Sequence, residues 1–281
     1  MNVLILFFSG TGNTEYVSRY IHEKLQISSN NISIDRYSLE SFNPTNIVNY
    51  DLIYFGFPIY ALDAPSNVRA FVNELPDLSK KGIIFFCTMG IVAGNAFERL
   101  YSLFKPLNIT HLGSFAVKMP GTDGLAMLTE KSGYVRNALK RDYSHFSEFD
   151  VHFDNFSSLI QTFQSKNSFT SLAVPPPKYL LDTLLGWSFR GLYHVMENFI
   201  KKRFWVDDNC THCNSCISQC PMNNIKMDEE KNRITFGTDC VVCLRCIHQC
   251  PVVAIQISRF TQGKFRWRGP KGDFQPIIPK K

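Results

Sequence analysis

Neither the G-x-G-x-x-G fingerprint of a dinucleotide fold nor the lysine-bearing loop of a nucleotide P-loop occurs in this chain, which argues against a Rossmann cofactor and against ATP hydrolysis. Apolar runs of membrane length are missing as well. The most lipophilic long stretch, Leu180 to Trp205, is broken by Asp182, Arg190, His194, Glu197 and three basic residues at 201–203, so no transmembrane segment is expected. The N-terminus shows no address: Met1 leads straight into the apolar Val3–Phe8, without a basic stretch or a small-residue cleavage site. A reducing, cytoplasmic setting is therefore the expectation. No DNA-binding pattern is evident, and no nucleic-acid partner is expected. Cysteine is nearly absent from most of the chain. Eight of nine cysteines fall within residues 210–250, while Cys87 stands alone in an apolar run, where a buried inert thiol is the expectation.

What is present suffices for two globular units, since 281 residues with 44% apolar composition exceed the usual single-domain size. The first 120 residues alternate apolar runs with amphipathic stretches. Val3–Phe8, Ile32–Tyr37, Leu52–Phe57, Ile83–Cys87 and Leu112–Val117 read as strands, and Asn13–Leu25, Ser66–Leu75 and Asn95–Phe104 as helices. Such alternation implies a parallel sheet covered on both faces. Helices are also expected over Glu130–Tyr143 and Asn155–Phe163. Pro175-Pro176-Pro177 marks a stiff boundary. After it, Leu181, Leu184, Leu185, Leu192, Val195, Met196 and Phe199 have helical spacing, read as a connecting helix packed between domains in preference to one lying on a membrane surface.

A 30-residue internal repeat follows. Cys210–Met227 aligns with Cys240–Ile257 at eight identities, the four cysteines plus Ile217/Ile247, Gln219/Gln249, Pro221/Pro251 and Ile225/Ile255. Each half reads C-x2-C-x2-C-x3-C-P: Cys210, Cys213, Cys216 and Cys220, then Cys240, Cys243, Cys246 and Cys250. This is the run of bacterial ferredoxins. Structural zinc prefers separated cysteine pairs, and a disulfide net conflicts with a reducing compartment. The resemblance to two-cluster ferredoxins implies crossed ligation of two 4Fe-4S clusters. One would sit on Cys210, Cys213, Cys216 and Cys250, the other on Cys240, Cys243, Cys246 and Cys220. His212 and His248, inside the runs, are read as surface or supporting residues rather than ligands.

Directly after the first strand come Ser9, Gly10, Thr11, Gly12, Asn13 and Thr14, opening a helix. Backbone N–H groups and three hydroxyls would meet there at a positive helix end, which makes a phosphate cradle. On these residues the N-terminal region resembles the flavodoxin family, over residues 1 to about 165. The resemblance implies an α/β flavodoxin-like doubly wound parallel sheet, strand order 2-1-3-4-5, with FMN at the carboxyl ends of its strands. Two further loops would then touch the flavin: Pro58, Ile59 and Tyr60 after the third strand, and Thr88, Met89, Gly90, Gly94 and Asn95 after the fourth. Tyr60 could stack on the ring or be an ordinary turn aromatic. The third loop lacks an aromatic residue, which leaves room for a substrate or partner.

Taken together, the order resembles the flavodoxin-ferredoxin fusion proteins of anaerobes. The expected division is residues 1–165 as the FMN domain, 166–205 as linker and connecting helix, 206–260 as a small α+β two-cluster domain, and 261–281 as a basic tail. The expected role is electron transfer between two 4Fe-4S clusters and FMN, serving a redox partner protein such as a ferredoxin-type donor or an acceptor reductase. A reductase acting on a quinone, nitro compound or dioxygen is the alternative, and a redox sensor ranks last. No catalytic residue is assigned, and a homo-oligomer is left open. The formal charge of +6 falls to roughly zero once two clusters and a flavin phosphate, each about −2, are counted. Residues 258–281 still hold Lys or Arg at 259, 264, 266, 268, 271, 280 and 281 against Asp273. This segment is read as a solvated tail, or more sharply as a dock for an acidic redox partner.

Overall fold

Five apolar segments near the N-terminus become one parallel sheet in the order β2-β1-β3-β4-β5, as the resemblance implies. The structure, a computed structural model, describes residues 1–28, 32–154, 156–230 and 232–276. The strands are β1 (Asn2–Phe7), β2 (Ser33–Ser38), β3 (Leu52–Pro58), β4 (Gly82–Met89) and β5 (Thr110–Lys118). Along β1, β3 and β4 nearly every residue is buried, the mark of parallel strands covered on both faces. The edge strand β5 instead alternates between buried and half-buried positions. Register is continuous from Val3 opposite Leu52 to Phe7 opposite Gly56, so both strands end at one level and deliver their loops to the same sheet edge. Gly56 leaves space for the Phe86 ring, which would collide with any Cβ there.

Helices α1 (Asn13–Ser28), α2 (Ser66–Val72) and α3 (Ala96–Phe104) follow β1, β3 and β4. Phe55, Phe85 and Phe104 pack edge-on or tilted with centroids 5.3–6.3 Å apart, geometries that suit the ring quadrupole. Beyond β5 come α4 (Thr122–Met127), α5 (Gly133–Lys140), α6 (Ser147–Phe153), α7 (Phe156–Lys166) and α8 (Leu180–Lys201). The expected helix over Asn155–Phe163 appears as α7; Asn155 itself lies outside the described residues. The sequence pattern gave no separate signal for α4 or α6.

Two compact units are present, neither continuous in sequence. The first comprises Met1–Ser9, Thr14–Met119 and Ser144–Trp187, and the second Gly10–Asn13, Pro120–Tyr143 and the chain from Ser188 on. The second holds β6 (Phe204–Val206), α9 (Ser215–Ser218), β7 (Ile225–Asp228), β8 (Arg233–Phe236), α10 (Arg245–Gln249) and β9 (Ile255–Ile257). Its strands form two antiparallel pairs, β6 with β9 and β7 with β8. Ala126, Leu244, Ile247, Cys250, Ala254, Ile255 and Ile257 make its core.

Two expectations are corrected. The tail is not simply solvated: Thr261, Trp267 and Phe274 are buried, because aromatic residues interleave its basic ones. Lys280 and Lys281 lie outside the described residues. Helix α8 is where expected, yet Leu181, Leu184, Leu185, Leu192, Val195, Met196 and Phe199 are exposed instead of packed.

Candidate functional site

The chain leaves β1 through Phe8, whose N–H donates to Gly56 O at 2.9 Å, and turns into α1 over Ser9–Gly12. Ser9, Thr11, Asn13 and Thr14 are all buried, which is unusual for a polar connection and calls for partners. The Thr14 hydroxyl is 2.8 Å from that of Thr88, joining the first turn of α1 to the end of β4. Within the second unit, Asn13 Nδ2 donates to Pro120 O at 3.0 Å and its Oδ1 accepts from Trp267 Nε1 at 2.8 Å. Gly12 sits at φ +101°, and a Cβ there would lie 2.9 Å from Gly269 Cα. Only glycine fits such a position. Glu15, in the first turn of α1, is held by Arg36 at 2.9 Å and Arg19 at 3.1 Å, which offsets its charge beside the helix end. Three hydroxyls, close-set glycines and the start of a 16-residue helix make a donor set that fits a phosphate.

The loop after β3 is built by strain and clamped by ions. Ile59 N–H donates to Thr88 O at 2.9 Å, and Tyr60 and Asp63 exchange backbone hydrogen bonds of 2.9 and 3.0 Å. Between them Ala61 and Leu62 both take left-handed φ values, +50° and +63°, which costs non-glycine residues about 1–2 kcal/mol each. The surroundings compensate. The Asp63 carboxylate pairs with Arg69 at 3.1 Å and Arg99 at 3.5 Å, while Arg99 also donates to Leu62 O. Pro58, Ile59 and Tyr60 are half-buried.

At the end of β4, Thr88 is buried and Met89 half-buried, and beyond it Gly90, Ile91 and Val92 are exposed, Ile91 to 83%. Gly94 turns the chain at φ +56°, and a Cβ on it would be 3.1 Å from the Asp182 carboxylate. That carboxylate accepts from Asn95 N–H at 2.7 Å and pairs with Arg99 at 2.8 Å. The Asn95 amide group donates to Tyr179 O and the Thr183 hydroxyl, so the side chain is committed to the start of α8. Asp63, Arg99 and Asp182 thus fix both loops. Sequence reasoning missed all three, because residues so far apart in the chain leave no spacing signal. Cys87, buried in β4, has its thiol pKa raised strongly by burial, as expected of an inert thiol.

In the second unit the internal repeat becomes geometry. The helices α9 and α10 stand 30 residues apart, and so do left-handed residues: His212 and Val242, Asn214 and Leu244, Asn223 and Val253, all with φ between +49° and +58°. Asparagine adopts this conformation readily, whereas β-branched valine resists it. Different residue types thus hold the same turns in both halves of the repeat. Likewise Asn224 N–H points at Cys220 Sγ (3.4 Å) and Ala254 N–H at Cys250 Sγ (3.2 Å), with Val242 N–H 3.3 Å from Cys240 Sγ.

Cys210, Cys213, Cys216 and Cys250 line one cavity, with Val206, Ile234 and Ile255 among its apolar walls. The fourth cysteine of the second run therefore shares a cavity with the first three of the first run. Burial pushes Cys216 up to about 11 and Cys243 to about 12, while hydrogen bonding with Ser215 lowers Cys213. Thiols so clustered become thiolates when a cationic group sits among them, and a four-cysteine cavity with apolar walls is a ligand set that fits an iron-sulfur cluster.

Of the two histidines in the runs, His212 is exposed and His248 is buried. His248 Nδ1 accepts from Trp267 N–H at 2.9 Å, so Nε2 donates to Thr122 O at 3.0 Å. Burial depresses its pKa to about 3, and the ring is neutral. Arg245, between two cysteines of the second run, is buried and donates to Gly10 O at 3.3 Å and Gln219 O at 2.8 Å.

Residues 4–102 match the family model of the flavodoxin domain, and residues 209–263 that of the 4Fe-4S dicluster domain. No curated protein matches the chain. Among solved structures, two-electron reduced flavodoxin of Megasphaera elsdenii is similar at 22% identity and TM-score 0.39, over 43% of this chain and 89% of that one. Oxidised flavodoxin 1 of Bacillus cereus is similar at 18% identity and TM-score 0.36, over 44% and 88%. In chain order, the protein carries a flavodoxin domain followed by a 4Fe-4S dicluster domain.

Proposed function

We propose that this is an electron-transfer flavoprotein that binds FMN and two 4Fe-4S clusters and relays low-potential electrons to a redox partner protein. The observation that carries it is the cavity shared by Cys210, Cys213, Cys216 and Cys250, which joins cysteines of both halves of the repeat. Cys240, Cys243, Cys246 and Cys220 would hold the second cluster. Ser9–Thr14 would bind the FMN phosphate through backbone N–H groups and hydroxyls. Pro58, Ile59 and Tyr60 would border one side of the ring, and Thr88, Met89, Gly90, Gly94 and Asn95 another. When bound, the clusters supply one-electron transfer and the flavin one- or two-electron storage, so the pair converts electron number.

The residues themselves position and shield. Leu244 and Ile247 pack in one core with Cys250 and would shield it from water, and N–H groups of 224, 242 and 254 would lower the charge on Cys220, Cys240 and Cys250. Both effects tune potential. Exposed Ile91 and Val92 offer a protein partner an apolar contact beside the flavin loops. The same opening would admit a small acceptor, which is the second reading. Turnover of quinones, nitro compounds or dioxygen with reduced ferredoxin as donor would favour it, and inactivity across the panel would remove it. The test of the main reading is anaerobic purification with metal, sulfide and flavin quantified against protein. About eight irons and one FMN are expected; zinc in the cysteine sites, or no flavin, refutes it.

A further inference from the structure

The two halves of the repeat share a cysteine pattern and differ in cover. Thr211, His212, Cys213 and Asn214 are all exposed, whereas at the equivalent positions Val241, Cys243 and Leu244 are buried and Val242 is half-buried. Ser215 and Ile217 are half-buried and Ser218 is exposed, while their equivalents Arg245, Ile247 and His248 are buried. Copies of one motif are exposed alike unless other parts of the chain cover one of them.

The cover comes from segments of the second unit that lie outside the repeat. His248 Nε2 donates to Thr122 O at 3.0 Å, and its Nδ1 accepts from Trp267 N–H at 2.9 Å. Ala126 shares a core with Leu244 and Ile247, and Arg245 Nε donates to Gly10 O at 3.3 Å. Chain from before the repeat and chain from after it therefore close over the second run. The first run has no side chains to recruit them. Ser215 stands where the second run has Arg245, and Ser218 where it has His248. Both serines turn back on their own loop: Ser215 Oγ lies 3.4 Å from Cys213 Sγ, and Ser218 Oγ donates to Ser215 O at 3.1 Å.

This difference decides electron access. Transfer between proteins falls off steeply with the separation of the two centres, so a partner exchanges with the centre whose ligands reach the surface. Cys213 is exposed and Cys243 is buried. The cavity of Cys210, Cys213, Cys216 and Cys250 has a rim that a protein can meet, because His212, Asn214, Pro251 and Val252 are exposed around it. Among the described residues, no Asp, Glu, Lys or Arg lines this cavity. An uncharged rim of mixed polar and apolar groups suits the small, weak contact typical of redox encounters, and differs in kind from an ion-paired dock on the basic residues after 258.

Resting on the two-cluster reading, we propose that the exposed rim of the first run is the docking surface for a one-electron carrier protein, and that the second run is internal. One electron leaves the carrier and enters at Cys210, Cys213, Cys216 and Cys250, with no bond made or broken. The test uses the anaerobic holoprotein and a bacterial ferredoxin, reduced and freed of reductant, mixed by stopped flow. Val252→Trp adds bulk at the rim without removing a ligand, and should slow reduction about ten-fold or more. Arg259→Gln with Lys271→Gln should leave the rate unchanged. Hydrogen-deuterium exchange with the oxidised ferredoxin reads docking without electron flow, and protection of amides 211–214 and 251–252 is expected. The proposal is overturned if Val252→Trp is reduced at the wild-type rate, if the Arg259 and Lys271 pair is slowed, or if protection falls on 258–276 instead. It is overturned equally if the ferredoxin neither reduces nor protects the wild-type protein. Iron analysis of the same preparation separates the two failures: with about eight irons present, any of these results removes the docking surface alone, and without them the two-cluster reading itself fails.

Discussion

Substituting Cys250 by alanine probes the crossed ligation most directly. Its sulfur lines the cavity of Cys210, Cys213 and Cys216, although it lies 30 residues beyond Cys220, the last cysteine of that run. It also accepts from Ala254 N–H at 3.2 Å, so truncation removes one ligand from a four-sulfur set and leaves a buried donor without its acceptor. The set of Cys220, Cys240, Cys243 and Cys246 keeps all four sulfurs. The expected result is the loss of one cluster of two, about four of eight irons. Iron and sulfide analysis gives the number. Electron paramagnetic resonance of the dithionite-reduced protein gives the identity, by comparison with Cys213→Ala and Cys243→Ala. The Cys250→Ala spectrum should match that of Cys213→Ala. A match to Cys243→Ala instead, or retention of all eight irons, would refute the pairing of Cys250 with the first run.

Three further perturbations follow from the geometry. Thr14→Val removes a buried hydroxyl from the proposed phosphate cradle together with its 2.8 Å contact to Thr88; a hydrogen bond to a charged group contributes about 1.5–3 kcal/mol, so FMN affinity, read by flavin fluorescence, should fall about 10- to 100-fold. Trp267→Phe keeps most of the buried ring but leaves Asn13 Oδ1 unpaired, at a cost of about 1–3 kcal/mol in denaturant unfolding; no change would show that the indole contact is idle. His111 and His152 have pKa values lowered first by burial, so the folded state binds fewer protons than the unfolded one below the ordinary histidine range. Their contribution is full above a pH of about 6.5 and is lost as pH falls, with a slope of up to about 1.4 kcal/mol per unit for each; His111→Gln should flatten the stability-pH curve in that window, and an unchanged curve would contradict the assignment.

The parts of the molecule legible in the sequence were those encoded by local pattern. Continuous apolar runs located β1, β3 and β4 because strands buried on both faces cannot alternate, and the order 2-1-3-4-5 came from the resemblance carried by Ser9–Thr14. Cysteine spacing likewise marked both runs, since ligand spacing is itself a local pattern. What escaped was set by contacts between distant residues. Arg99 reads as one more charge on an amphipathic helix, and only the fold shows it clamping Asp63 and Asp182. The tail read as solvated because its charge count outweighed three aromatic positions, yet Trp267 is almost fully buried.

Helix α8 shows why periodicity alone misleads. A 3.6-residue apolar repeat reports that a helix has two unlike faces, and says nothing about which face turns inward. The sign is carried here by Asp182 and Gly186. Gly186 gives the inward side a residue small enough for close approach, and Asp182 has an arginine waiting for it in Arg99. Once the carboxylate is fixed by that ion pair and by Asn95 N–H, the leucines have only the outside left to them. Breaking an ion pair buried on that side costs about 3–5 kcal/mol, which outweighs the roughly 1.5–3 kcal/mol gained by burying one leucine, but not the sum for the whole strip. The orientation therefore holds in water only while no competing apolar surface within the protein accepts the strip.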